Sequence, residues 1–249
     1  MQGIALPPTV VVIPTYNEIA NLSRLVPEVL AISPSIRLLV VDDASSDGTG
    51  IEADRLVASS GRMDVIHRPG KLGLGSAYKQ AFQTVLRTTK AELICQMDAD
   101  FSHRPVDLRS VLEAACRGVA DIVVGSRWIP GGAVSNWPFR RYLLSRVGNL
   151  YARMILGVPQ CDLTGGLKCW RRKVLESIDL DSVEAENYAF QIEMSWRGWK
   201  HGFSIYEVPI TFVERTQGVS KMSGRVVGEA LILPWRLRLQ QRAETLHKV

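Results

Sequence analysis

The sequence predicts an α/β fold with a mostly parallel central sheet flanked by helices. Three observations predict it. Short β-branched runs recur along the first half of the chain, segments with helically spaced apolar residues separate them, and polar residues gather where the runs stop. Strands separated by single helices imply βαβ units. Such sheets bind ligands beyond the carboxyl ends of their strands.

Residues 9–13 form the first run, closed by Pro14. Over residues 18–30 apolar side chains fall at Leu22, Leu25, Val26, Val29 and Leu30, which is helical spacing. Residues 37–41 are a second buried strand, and Asp47 before Gly48 and Thr49 reads as the N-cap of the next helix. A third strand over 64–67 leads through Pro69 and Gly70 into a helix over 73–87. Residues 92–97 make a strand that stops at Asp98, followed by a helix over 106–116 and a strand over 121–124.

The second half is less regular. Residues 129–137 read as a loop around Pro130, Gly131 and Gly132. A helix over 138–156 carries Leu143, Leu144, Val147, Leu150, Tyr151, Met154 and Ile155 together with Arg140, Arg141, Arg146 and Arg153. A strand over 166–170, a helix over 187–199 and a strand over 203–212 follow. The last stretch reads as a helix broken near Pro234. No linker stands out, so the expectation is one domain over 1–225 with a helical extension over 226–249.

The 249 residues suffice for one α/β domain, and a 46% hydrophobic, 22% charged composition excludes a disordered chain. The net charge of +5 fits an ordinary basic surface or attraction to phosphates on a nucleotide, a lipid or a membrane face. Nucleic-acid binding would rest on that charge alone and is set aside. Cys95, Cys116, Cys161 and Cys169 show no C-x-x-C spacing and no histidine cluster, so reduced structural thiols in a cytosolic protein are expected. No signal peptide is visible, and no apolar run approaches the ~20 residues that span a bilayer. Residues 226–237 come closest, interrupted by Glu229, Pro234 and Arg236.

Asp98-Ala-Asp100 is the central chemical signal. Two carboxylates at i and i+2, leaving the end of a buried strand, point the same way. Oxygen ligands with negative charge suit Mg²⁺ or Mn²⁺, which share their sphere with water and substrate phosphates. Pro14-Thr-Tyr-Asn-Glu18 can be a plain turn, or a loop where Tyr16 packs on a base and Glu18 accepts a hydrogen bond. Asp42 and Asp43 end the second strand, and Asp43 could accept from a base or ribose. Gly73-Leu-Gly75-Ser-Ala-Tyr78 begins like G-x-G-x-x-G but has Tyr78 at the last glycine, and no G-x-x-x-x-G-K-[ST] exists. A dinucleotide-binding dehydrogenase and a P-loop enzyme are both disfavoured. Arg127, Arg141, Arg215 and Lys221 lie in or beside loops and supply the anion side. His67, His103, His201 and His247 have neither triad nor zinc spacing and read as structural or solvated.

In order, P-T-Y-N-E, V-D-D-x-S-x-D-G-T, D-A-D, G-S-R, N-W-P-F-x-R and G-V-S-K resemble the family 2 inverting glycosyltransferases of GT-A fold. More narrowly the order resembles the polyprenol-phosphate (dolichol-phosphate) mannose synthases, from about Thr9 to Arg225. Gly125-Ser-Arg127, Asn136-Trp-Pro-Phe139 and Gly218-Val-Ser-Lys221 point to that lipid-phosphate branch. The resemblance implies that Pro14, Tyr16, Glu18, Val41 and Asp43 hold the nucleotide and that Asp98 and Asp100 hold the metal and diphosphate, with Ala99 close by. It implies that Arg127, Arg215 and Lys221 contact donor phosphates or sugar, and that Arg141 and Ser145 receive the acceptor phosphate. Where the family often has Gln as a further metal ligand this chain has Ser102, a weaker candidate.

The implied reaction moves mannose from GDP-mannose to a polyprenyl monophosphate with inversion. Such a phosphate has a second pKa of about 6 and is already ionised near neutrality, so no strong base is needed. GDP-mannose follows from the resemblance alone. A hexosyltransferase that uses a UDP-sugar is the alternative within the class, and a nucleotide-sugar-binding subunit without activity is the alternative outside it. Intact Asp98 and Asp100 argue against the latter. Membrane-spanning members carry extra C-terminal helices, which this chain lacks. The expectation is therefore a peripheral protein at the cytoplasmic face of a membrane, tethered by an integral membrane partner.

Overall fold

In the computed structural model, which describes residues 5–214 and 224–246, the β-branched runs become the middle of a seven-stranded sheet. The strands are β1 (Thr9–Thr15), β2 (Ile36–Asp42), β3 (Met63–His67), β4 (Leu93–Gln96), β5 (Ile122–Ser126), β7 (Lys168–Arg171) and β8 (Ile205–Pro209). Their order is β3-β2-β1-β4-β7-β5-β8. β1 pairs in parallel with both neighbours, Thr9 lying opposite Ile36 on one side and Leu93 on the other. Only β7 runs antiparallel, between β4 and β5.

Side chains on a strand alternate between faces. Val11, Ile13, Leu38, Val40 and Cys95 enter one core beneath α1 (Ile19–Leu30) and α4 (Pro105–Cys116). Val10, Val12, Leu39, Val41 and Ile94 enter the other, beneath α3 (Leu74–Thr88). Burial on both faces explains why these strands read as unbroken apolar runs. α2 (Thr49–Ser60) completes the N-terminal half.

The structure departs from the sequence reading in several places. Asp47 is not the N-cap of α2: Gly48 holds that position at φ 93°. Asp47 instead accepts from the Thr49 amide at 2.9 Å and the Ile19 amide at 3.2 Å, tying the starts of α2 and α1 together. The expected strand over 203–212 is two strands. After β8 the chain turns at Ile210, and β9 (Thr211–Val213) leaves the main sheet to pair with β6 (Ala133–Ser135) inside the expected loop. The Ile210 amide bonds Ser126 O and its carbonyl takes the Ala133 amide, so the turn is satisfied from both sides. A short helix, α6 (Arg172–Ser177), was not expected.

α5 (Phe139–Leu156), α7 (Asn187–Lys200) and α8 (Gly224–Leu246) pack together at one end. Pro234 does not break α8; it withholds one N–H while the helix continues through it. Leu233 and Leu237, one turn apart, are buried with Ala152, Leu156, Ile192 and Trp196. Tyr151 Oη donates to the Leu231 carbonyl and accepts from Trp235 Nε1, each at 2.9 Å. Among the described residues no helix is long and apolar enough to cross a membrane.

Candidate active site

The carboxyl ends of β1, β2 and β4 open on one cleft, and each is followed by a strained turn. Asn17, Ala44 and Phe101 all have positive φ, a region that non-glycine residues rarely adopt. Polar side chains hold these turns. Asn17 N donates to Ser45 Oγ, and Asn17 Oδ1 accepts from the Ser46 amide, both at 2.9 Å. Asp42 accepts from Thr15 Oγ1 at 3.1 Å and Ser45 Oγ at 2.5 Å. Glu18 N donates to Thr49 Oγ1 at 2.9 Å, and Asn21 Nδ2 donates to the Glu18 carboxylate at 2.8 Å. Asp43 pairs with the buried Arg68 and accepts from the Gly73 amide at 3.1 Å. The cleft is lined by Pro14, Tyr16, Glu18, Asp43, Lys71 and Ala99, among others. The Lys71 ammonium sits 3.9 Å from the centre of the Tyr16 ring.

Asp98 and Asp100 follow the end of β4 and line this cleft and a second one. The Asp98 amide donates to His103 Nδ1 at 3.3 Å, and His103 itself is fully buried, edge-on to Phe212. Ser102 lines neither cleft. It is buried, and its amide and hydroxyl both donate to Asp100 Oδ1, at 3.0 and 2.5 Å. Expected as a weak metal ligand, Ser102 has its hydroxyl directed at Asp100, where it orients that carboxylate. Among the described residues no further His, Cys, Asp or Glu joins Asp98 and Asp100 in a three-ligand group. Two carboxylates without histidine or thiolate suit a hard cation that fills its sphere with diphosphate oxygens and water, and do not suit zinc.

The second cleft is built around Arg127. The guanidinium is 5% exposed and forks onto the fully buried Asp162, with Nε at 2.7 Å and Nη2 at 2.6 Å. Nη2 also meets Thr164 Oγ1 at 2.9 Å. Trp128, Trp137 and Phe212 present their rings 5.4–5.6 Å from its centre. Burial works against the charge of Arg127, but Asp162 outweighs it and holds the guanidinium more basic than usual. Arg141 stacks 4.1 Å from the Trp137 ring centre and bonds Glu214 at 2.5 Å. Ser145 lines the cleft one turn later on α5. Leu144, Tyr151, Ile192 and Leu231 then continue the lining as an apolar groove.

Tyr188 and Leu74 line both clefts beside the two aspartates. Behind them, Glu186 locks three helices. Its carboxylate accepts from the Gly75 amide at 2.9 Å at the start of α3, and its own amide donates to Glu229 of α8 at 2.9 Å. A Cβ on Gly75 would lie 2.6 Å from the Ala185 carbonyl, so the fingerprint-like glycine serves chain clearance.

The sequence reading thus brings Pro14, Tyr16, Glu18, Asp43 and Ala99 to the first cleft, Arg127, Arg141 and Ser145 to the second, and Asp98 and Asp100 to both. Val41 lines neither; its side chain is fully buried in β2. Arg215 and Lys221 lie outside the described residues. Asp162, Thr164, Glu186 and Gln191 were missed. Lys168 was missed too: fully buried, it donates to Gln191 O and Ser195 Oγ at 2.8 Å, and burial pushes its pKa down to about 7. Asp162 Oδ2 accepts from both Nε and the backbone amide of Arg127, a pairing across 35 positions that no local pattern announces.

A family model described as glycosyl transferase family 2 matches residues 10–179. Polyprenol monophosphomannose synthase of Mycolicibacterium smegmatis is 49% identical over 233 residues, 92% of this chain and 87% of that protein. Undecaprenyl-phosphate mannosyltransferase of Micrococcus luteus is 45% identical over 235 residues, 94% of this chain and 96% of that protein. Among solved structures, glucosyl-3-phosphoglycerate synthase from Mycobacterium tuberculosis in complex with Mn²⁺, UDP and phosphoglyceric acid superposes with a TM-score of 0.67 at 19% identity, covering 92% of this chain and 78% of that one. The same enzyme with Mg²⁺ and UDP gives 0.66 over 93% and 79%. At that identity the likeness concerns the fold alone.

Proposed function

The chain belongs to glycosyl transferase family 2, and from that premise we infer that it moves a mannosyl group from a nucleotide-sugar to a polyprenyl monophosphate. The observation that carries this reading is the sharing of Asp98 and Asp100 by two unlike clefts. One is polar and loop-built, as a nucleotide needs. The other offers buried and half-buried guanidinium groups and then an apolar groove, as a phosphate with a hydrocarbon tail needs.

Pro14, Tyr16, Glu18, Asp43 and Ala99 hold the nucleotide, which we take to be GDP. Asp98 and Asp100 hold Mg²⁺ or Mn²⁺, which when bound neutralises the leaving diphosphate. Arg141 and Ser145 receive the acceptor phosphate. Arg127 spends Nε and Nη2 on Asp162 and Thr164, and among the described residues Nη1 remains for a substrate oxygen. Among the described residues no histidine lines the acceptor cleft, and none is needed, because the ionised phosphate attacks without a base. In-line attack inverts the anomeric carbon and gives a β-linked sugar phosphate from an α-linked donor.

The tail stays in a bilayer, so the groove must reach it. Phe139, Val147, Leu150 and Met154 of α5 and Ile232, Trp235 and Leu239 of α8 are exposed apolar side chains, with Arg140, Arg146, Arg236 and Arg238 among them. This face lies against an anionic leaflet, each basic residue there contributing about 1 kcal/mol, with an integral membrane partner completing the tether. The deciding experiment incubates the protein with a short polyprenyl phosphate, Mg²⁺ or Mn²⁺ and labelled GDP-mannose or UDP-glucose. Labelled lipid is expected from GDP-mannose only, and none in EDTA. Transfer from UDP-glucose at an equal rate would move the protein to the UDP-sugar reading.

A further inference from the structure

Trp170, Gln96 and Gln191 form a buried relay that ends in the acceptor cleft. Trp170 Nε1 donates to Gln96 Oε1 at 2.9 Å, and Gln96 Nε2 donates to Gln191 Oε1 at 2.5 Å. Trp170 and Gln96 are fully buried, and Gln191 is 2% exposed. An indole can only donate, whereas an amide carries a donor on one arm and an acceptor on the other. The indole therefore fixes the orientation of Gln96, and Gln96 fixes that of Gln191. The relay leaves Gln191 Nε2 as its free end, a buried donor with no hydrogen-bond partner among the described residues.

A buried donor without a partner is uncommon and asks for an explanation. Gln191 lines the cleft with Asp98, Asp100 and Arg127. Its partner Gln96 lies two residues before Asp98, at the end of β4. One turn before Gln191 on α7, Tyr188 lines both clefts. Gln191 thus lines the second cleft beside Asp98, Asp100 and Tyr188, the residues that both clefts share and that the transferred sugar must pass. Lys168 fastens the Gln191 carbonyl at 2.8 Å, so the backbone beneath the donor is fixed as well.

We infer that Gln191 Nε2 donates a hydrogen bond to a hydroxyl of the hexose being transferred and thereby helps choose the donor sugar. This rests on the proposed function and adds to it a residue that reads the sugar. A neutral amide matches a neutral hydroxyl, while guanidinium groups already serve the phosphate on that side. A site built to hydrogen-bond a substrate hydroxyl strongly disfavours a sugar that lacks it or turns it away.

The test uses Gln191→Glu and Gln191→Met with intact and singly deoxygenated GDP-mannose donors. Gln191→Glu keeps the bond from Gln96 but turns the unpartnered donor into an acceptor. Both variants should lower kcat/KM for GDP-mannose roughly 10- to 100-fold, with GDP affinity and acceptor KM changed less than about twofold. One deoxy donor should cost the wild-type enzyme a similar factor and cost Gln191→Met little more than it has already lost, because the bond is gone from either side. Equal losses with every donor, or a rise confined to acceptor KM, overturns the assignment. Calorimetry of GDP-mannose against GDP needs no turnover. A wild-type protein that transfers nothing to polyprenyl phosphate would sink the functional reading, yet a selective loss of GDP-mannose binding in Gln191→Met would still support the sugar contact. Unchanged GDP-mannose binding in a folded Gln191→Met would remove it.

Discussion

The two clefts solve opposite problems with opposite materials. The cleft proposed for the nucleotide is made from three neighbouring strand ends, and its side chains are held by hydrogen bonds around Asn17, Asp42 and Asp43. The cleft proposed for the acceptor is made from distant segments, and its central guanidinium, that of Arg127, is held by a buried carboxylate and a ring of aromatics. Loops of small polar residues recognise a ligand that is polar all over. A lipid phosphate has one charged end and a long apolar one, so its cleft concentrates charge in a dry pocket and leaves the rest greasy. Asp98 and Asp100 belong to both and should therefore be the least divisible part of the machine.

Removing a shared carboxylate breaks the comparison most severely. Asp100→Ala should lower turnover at least about a thousandfold while the fold survives, read as initial rates beside a circular dichroism melt; near-normal rates in a folded variant would refute its role. Asp162→Ala strikes the acceptor side alone. It leaves Arg127 buried and unpaired, and should cost about 3–5 kcal/mol of stability, seen as a lower denaturant midpoint with an unchanged slope. Arg141→Ala should slow transfer to the lipid phosphate roughly 10- to 100-fold, with GDP affinity unaltered by calorimetry. If GDP binding collapses and the acceptor KM holds, the two clefts have been assigned the wrong way round. Asp43→Asn is the mirror image. Loss of one charge-assisted bond should weaken GDP binding about tenfold, with acceptor KM unchanged, and the buried Arg68, deprived of its counter-charge, should also lower the denaturant midpoint.

The same contrast explains what the sequence could disclose. β1 to β5 are short and apolar, each next to its own helix, so periodicity finds them and places Asp43 and Asp98 at strand ends. The acceptor side depends on pairs far apart in the chain, Arg127 with Asp162 and Gln96 with Gln191, and such pairs leave no local trace. The motif resemblance found Arg127, Arg141 and Ser145 but not what holds them. β6 and β9 are three residues each, too short for an alternation to show. Pro234 misled because neighbouring helices support α8 on either side of the missing N–H. What Ser102 does beside two carboxylates was not legible either: its hydroxyl bonds Asp100, a contact that the motif alone does not announce.

Glu186 has a consequence for the order of events. Asp43 holds the Gly73 amide, Glu186 holds the Gly75 amide two residues on, and Glu229 of α8 holds the amide of Glu186. A helix that lines the second cleft and a loop that lines the first are thus fastened to one post. Linkage then runs both ways: whatever factor nucleotide-sugar adds to lipid-phosphate affinity, lipid phosphate adds to nucleotide-sugar affinity. Cutting the post with Glu229→Leu, which removes the acceptor that the Glu186 amide needs, changes those two factors together or not at all; on the proposed reading, a membrane that moves α8 would reach the nucleotide without touching it.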